Sequence, residues 1–132
     1  MSWYADTSAL VKLVIHETET AALRQWLRRE APTLVTSDLT RTELRRAVRR
    51  ADEAALPLVR DVLDTLTILT MDSSVFDHAG LLDPVLVRSL DALHLTCALE
   101  LGDELDGLVA YDARLIDAAR TLGLSTISPG LS

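Results

Sequence analysis

Four acids, Asp6, Glu43, Asp91 and Asp112, stand where one local pattern of the chain gives way to the next. Each has hydroxyl or small residues close by, in Asp6-Thr7-Ser8, Thr40-Arg41-Thr42-Glu43, Ser89-Leu90-Asp91 and Ala110-Tyr111-Asp112. Singly, each has an ordinary structural explanation, because acids complement the positive end of a helix dipole. Asp6 and Asp112 could cap the helices that follow them. Thr40 to Glu43 fits a capping box, and Ser89 could cap a helix with Asp91 in its first turn. Together the acids pose a different problem. A cap is worth about 1 kcal/mol, whereas two carboxylates ~4 Å apart repel by up to ~4 kcal/mol at an effective dielectric of ~20. Convergence of all four therefore calls for a cation between them. An all-oxygen donor set suits Mg2+, with Mn2+ as the alternative, and gives no preference for zinc.

The elements that would position these acids follow from periodicity. Ser2–Ala5, Thr33–Thr36, Thr67–Met71, Gly107–Tyr111 and Ser125–Ile127 read as strands. Ala9–Ile15, Thr18–Arg29, Leu39–Ala51, Leu58–Leu66, Ser74–Leu81, Ser89–Leu101 and Ala113–Leu122 read as helices. Pro57 opens one of them, and Gly102 and Gly123 close two. The alternation predicts an α/β fold, with a mainly parallel central sheet of about five strands flanked by helices. One domain spans 1–132, with 128–132 expected as a loose C-terminal tail. In such a sheet the C-terminal end of each strand feeds the next helix, and ligands bind along that edge where strand order reverses. All four acids can reach that edge.

Composition narrows the class. With 132 residues, 48% apolar and 25% charged, the chain can bury a core of its own as one globular domain. A single cysteine, Cys97, excludes an intramolecular disulfide and a multi-cysteine metal site, and reads as a small core residue. No run approaches the ~18 apolar residues of a membrane span, and no basic-then-apolar leader opens the chain. A reduced, cytoplasmic protein is expected. The net charge of −7 argues against a polyanionic partner, but the distribution is uneven. Arg41, Arg45, Arg46, Arg49, Arg50 and Arg60 place six of the 13 basic residues between positions 41 and 60. On a helix, 41/45/49 share one stripe and 46/50 the stripe beside it. They could meet RNA phosphates, the acids of a protein partner, or only solvent. His94, three residues after Asp91, is read as a packing residue, with a hydrogen bond to Asp91 as the alternative.

These residues resemble the PIN-domain ribonucleases, specifically the VapC-type toxins of bacterial toxin–antitoxin pairs. The resemblance begins at Asp6-Thr7-Ser8-Ala9-Leu10 and continues through Ser37-Asp38-Leu39-Thr40-Arg41-Thr42-Glu43-Leu44. Ser89-Leu90-Asp91-Ala92-Leu93-His94-Leu95 is its most specific piece. Val109-Ala110-Tyr111-Asp112, Ala118-Ala119 and Leu122-Gly123-Leu124 complete it. It implies a PIN fold and a metal-dependent endoribonuclease that leaves 5′-phosphate and 3′-hydroxyl ends. Asp6, Glu43, Asp91 and Asp112 would be the acidic quartet holding Mg2+ or Mn2+, with Ser8 as the hydroxyl beside the first acid. A homodimer and neutralisation by a cognate antitoxin are further implications. Ala110 departs from the pattern, since the family often carries Thr or Ser there, and this alters the surroundings of Asp112.

Other readings compete. A Mg2+-binding signalling receiver would carry paired acids after its first strand and a lysine after a late one. Here Asp6 is single and Lys12 is the only lysine. A haloacid-dehalogenase-type phosphatase would place a second acid where this chain has Ser8. A catalytically inactive binding module is the third alternative.

Overall fold

In the computed structural model, which describes residues 2–131, strands and helices alternate as expected. The strands are β1 (Ser2–Ala5), β2 (Thr33–Ser37), β3 (Thr67–Leu69), β4 (Leu105–Val109) and β5 (Thr126–Ile127). The helices are α1 (Thr7–Val14), α2 (Thr20–Glu30), α3 (Asp38–Ala51), α4 (Leu56–Asp64), α5 (Ser73–Gly80), α6 (Ser89–Leu99) and α7 (Ala113–Thr121). All strand pairings are parallel, in the order β3-β2-β1-β4-β5. The chain thus steps outward from β1 to β2 and β3, then returns to lay β4 on the other side of β1. The C-terminal ends of β1 and β4 flank the point where strand order reverses, which is where open α/β sheets take ligands. A receiver domain has the order 2-1-3-4-5, so its architecture is ruled out.

Side chains alternate across the sheet, and both faces are covered. Tyr4 enters one layer with Val35, Leu95, Leu108 and Leu115, under α5, α6 and α7. Ala5 and Val109 enter the other with Leu10, Leu23, Leu44, Val48 and Val59, from α1 to α4. Fully burying a Val or Leu side chain stabilises by about 1.5–3 kcal/mol, so a one-residue slip of β1 would sacrifice both layers at once. Helix α6 lacks a polar stripe because Ala92 and every residue from His94 to Ala98 are buried.

The structure departs from the expected boundaries in informative ways. Strand β4 starts at Leu105, since Ser2 pairs with Leu105 and a register shift past Asp106 brings Trp3 to Gly107. A side chain at Gly107 would collide with the Ser125 carbonyl oxygen at 2.5 Å and the Trp3 ring at 2.8 Å. Helices α1 and α3 begin earlier than predicted, at Thr7 and Asp38, so the strand-to-helix turns are almost without loop. Of the tail expected to be loose, 128–132, residues 128–131 are tied back to the sheet, and Ser132 lies outside the described residues. Ser128 Oγ donates to the Ala110 carbonyl, and Tyr111 Oη donates to the Pro129 carbonyl at 2.7 Å. The buried Lys12 ammonium lies 4.6 Å from the centre of the same Tyr111 ring and pairs with Glu19 at 2.8 Å.

Candidate active site

Because β1 stops at Ala5 and α1 starts at Thr7, Asp6 is the single residue between them. It occupies the helix-cap position, but its side chain makes no cap hydrogen bond. Instead Oδ1 accepts the Ser8 hydroxyl at 2.7 Å, and the residue is 5% exposed. Ser8 Oγ in turn accepts the backbone N–H groups of Tyr111 at 2.8 Å and Asp112 at 3.2 Å. A serine hydroxyl has one hydrogen and two lone pairs, so the chain itself uses all of its bonding capacity. Holding the Asp6 carboxylate is the role this geometry displays for Ser8. Asp112 does cap its helix, through Oδ1 on the Arg114 N–H at 2.9 Å.

Glu43 is not part of a capping box. Helix α3 has Ser37 at its cap, which makes Glu43 the sixth helical residue, and Thr40 pairs with Thr36 at 2.7 Å. The Glu43 carboxylate reaches across to two other elements. Its Oε1 accepts Thr7 Oγ1 at 2.8 Å and lies 2.6 Å from Nε2 of His94. His94 is buried, as its packing role predicted, but its partner is Glu43 rather than Asp91. Its Nδ1 lies 2.8 Å from the Tyr4 hydroxyl, which in turn lies 2.9 Å from Ser37 Oγ. Neither Tyr4 nor Thr7 was singled out from the sequence. The one available signal was that a tyrosine on an inward strand position must find a partner for its hydroxyl. Asp91 lies in the first turn of α6, with Arg88 rather than Ser89 at the cap.

Electrostatics tie the acids together. Burial pushes Asp6 up to about 6, aided by the charge of Asp112 and opposed by the Ser8 hydrogen bond and the nearby His94 imidazole. Asp91 is also raised, by burial and then by the charges of Asp112 and Glu43, against the pull of His94 and Arg88. Burial pushes Glu43 upward too, but the hydrogen bond and charge of His94 and the Thr7 hydroxyl prevail and hold it below its ordinary value. The charge of Asp112 thus bears on both Asp6 and Asp91, and that of Glu43 on Asp91. Among the described residues, however, no three Asp, Glu, His or Cys side chains stand close enough to share one ion as placed.

The donor chemistry nevertheless fits a hard divalent cation. Protein hydrogen bonds fall on Oδ1 of Asp6, Oε1 of Glu43 and Oδ1 of Asp112, one oxygen of each pair. These side-chain hydrogen bonds involve only that one oxygen of each.

All five arginines of α3 are exposed. Arg41 pairs with Asp38 at 3.1 Å, Arg45 donates to the Arg41 carbonyl at 2.9 Å, and Arg49 lies 3.8 Å from Glu53. That stripe is occupied by its own neighbours. Arg46 and Arg50 follow Glu43 at the i+3 and i+7 positions, so they continue the stripe that carries the acid.

A family model described as PIN domain matches residues 3–121. The chain is 45% identical over 126 residues to ribonuclease VapC46 of Mycobacterium tuberculosis, with 96% of each chain covered. It is 42% identical over 131 residues to ribonuclease VapC47 of the same species, again with 96% of each covered. Among solved structures it resembles Mycobacterium tuberculosis VapC20, described as a sarcin–ricin loop cleaving toxin. The TM-score is 0.78 at 14% identity, over 98% of this chain and all of that one. A toxin–antitoxin complex from Klebsiella pneumoniae matches with a TM-score of 0.70 at 17% identity, over 96% and 97% of the two chains.

Proposed function

The chain belongs to the PIN-domain family, among relatives of the VapC type, and from that premise we propose that it is a metal-dependent endoribonuclease toxin held in check by a cognate antitoxin. One observation carries the reading: Asp6 and Asp112 are tied together through Ser8 where strand order reverses, and Glu43 is held by Thr7, the residue next to Asp6. Asp6 and Asp91 would hold Mg2+ or Mn2+ centrally, with Glu43 and Asp112 orienting the ion or its waters. Such a cation supplies a water of lowered pKa and neutralises charge on the phosphate.

The remaining work falls to the chain. Ser8 holds Asp6 against the start of α7, so the first and last acids move as one body. With Asp6 raised to about 6, a proton competes with the cation for its carboxylate as the medium becomes acidic. Arg46 and Arg50 draw RNA phosphates to an edge that is otherwise acidic. No side chain acts as a nucleophile. Water attacks phosphorus and the 3′ oxygen leaves with a proton, which yields 5′-phosphate and 3′-hydroxyl ends. Residues 1–132 act as one cytoplasmic domain, and the homodimer and antitoxin follow from the kinship.

The test is cleavage of a panel of structured RNAs, including a sarcin–ricin-type stem-loop, in Mg2+, in Mn2+ and in EDTA. A folded Asp6→Asn protein runs beside it. Metal-dependent cutting that disappears in the variant is expected. Equal cutting by both proteins would remove Asp6 from the site.

A further inference from the structure

One chain of hydrogen bonds crosses the molecule and ends on a single oxygen of a single acid. It runs from Ser37 through Tyr4 and His94 to Glu43, where Thr7 joins from the other side. Ser37 and Tyr4 are fully buried and His94 is 3% exposed, with the tyrosine and imidazole rings edge to face, 5.8 Å apart. An imidazole held at both nitrogens in a dry interior cannot swing without leaving buried polar atoms unpaired. An ionised carboxylate can only accept, so Nε2 of His94 is the donor in its 2.6 Å contact with Glu43 Oε1.

We propose that His94 and Thr7 are positioning residues for Glu43: by occupying Oε1 between them, they leave Oε2 as the one atom that can meet a divalent cation. This inference rests on the metal-dependent reading given above. The placement of the donors adds to it. His94 is on α6, one turn after Asp91, and Thr7 directly follows Asp6. The two elements that orient Glu43 are therefore the ones that carry the two central acids. A displacement of either element shifts an acid and the grip on Glu43 together. Hydrogen-bond partners of metal-binding side chains commonly affect metal affinity by about 10–100-fold.

The experiment measures Mn2+ affinity by calorimetry, alongside melting temperature, for the full chain. The set comprises wild type, Thr7→Val, His94→Gln, His94→Ala, Glu43→Gln and the His94→Ala/Glu43→Gln double variant. His94→Ala is expected to bind Mn2+ about 10–100-fold more weakly. Thr7→Val should weaken binding in the same direction, and the amide of His94→Gln should restore part of what alanine loses. In the Glu43→Gln background, removal of His94 should change Mn2+ affinity no further, because its target carboxylate is already gone. A purely structural histidine would lower the melting temperature while leaving those losses additive. Unchanged Mn2+ affinity in Thr7→Val and His94→Gln overturns the proposal even if His94→Ala fails to fold. An additive loss in the double variant overturns it too. A wild-type protein that binds no Mn2+ defeats the nuclease reading as well, so the two failures are distinguishable.

Discussion

Asp6→Asn should make the metal-free protein more stable while abolishing cleavage. Asp6 is buried and its folded pKa is about 6, against an ordinary value of 3.8. A raised carboxyl favours folding when it is protonated. That contribution is complete below about 4 and is lost as pH climbs through about 6. The gap is roughly two units, and at about 1.4 kcal/mol per unit the ionised group costs the folded chain ~3 kcal/mol at pH 7.5. Asparagine removes the charge and keeps an oxygen for the Ser8 hydroxyl. In EDTA at pH 7.5 its unfolding free energy should exceed wild type by ~2–3 kcal/mol, and the advantage should vanish near pH 4. Urea titration followed by the fluorescence of Trp3 and Trp26, packed edge to face at 5.4 Å, reports it. Saturating Mn2+ should close the gap, since ligand at about 100 times its Kd adds ~2.7 kcal/mol to wild type alone. A variant no more stable than wild type at pH 7.5, or a difference that does not change with pH, would refute the reasoning.

Ser8→Ala leaves two backbone N–H groups without their acceptor, and unfolding free energy in urea should fall by about 2–4 kcal/mol. It also takes a hydrogen bond from Asp6, so half-maximal Mn2+ binding should move to higher pH. For wild type, the apparent Mn2+ affinity should decline as pH falls below about 6, where Asp6 gains a proton, and calorimetry across pH 5–8 would show it. Paired Arg46→Gln and Arg50→Gln changes should raise KM for RNA and lessen the salt dependence of binding by about one to two phosphate contacts. The same changes at Arg45 and Arg49 should do less, because those groups already have partners on their own helix. Gly107→Ala places a methyl 2.5 Å from a carbonyl oxygen and should cost at least ~3 kcal/mol, seen as a lower urea midpoint or insoluble protein.

What could be read from the chain depended on whether the signal was local. Ser2–Ala5 was delimited to the residue, because its run of aromatic and small residues stops at an acid. The parallel sheet was legible from the alternation of elements. The grip on Glu43 was not, since Tyr4, Glu43 and His94 share no period and meet only through packing. The capping box at Thr40 failed because Ser37 ends its strand and caps the helix in the same step, which leaves no room for a later start. The Ser-Pro-Gly segment after β5 lacks periodicity and therefore read as loose. Two side-chain hydrogen bonds to backbone carbonyls suffice to order it, and no composition rule anticipates them.

The sheet order has a temporal meaning as well. Ser8 reaches the N–H of Tyr111 across 103 residues of chain, a contact that forms only when β4 lies beside β1. Synthesis makes Asp6 first of the four acids, then Glu43, Asp91 and Asp112 in turn. A growing chain therefore holds its acids in separate, unjoined pieces. If the protein is the toxin proposed above, it is harmless to its own message while being translated. On that reading the site is assembled only when β4 pairs with β1, after β2 and β3 have been made.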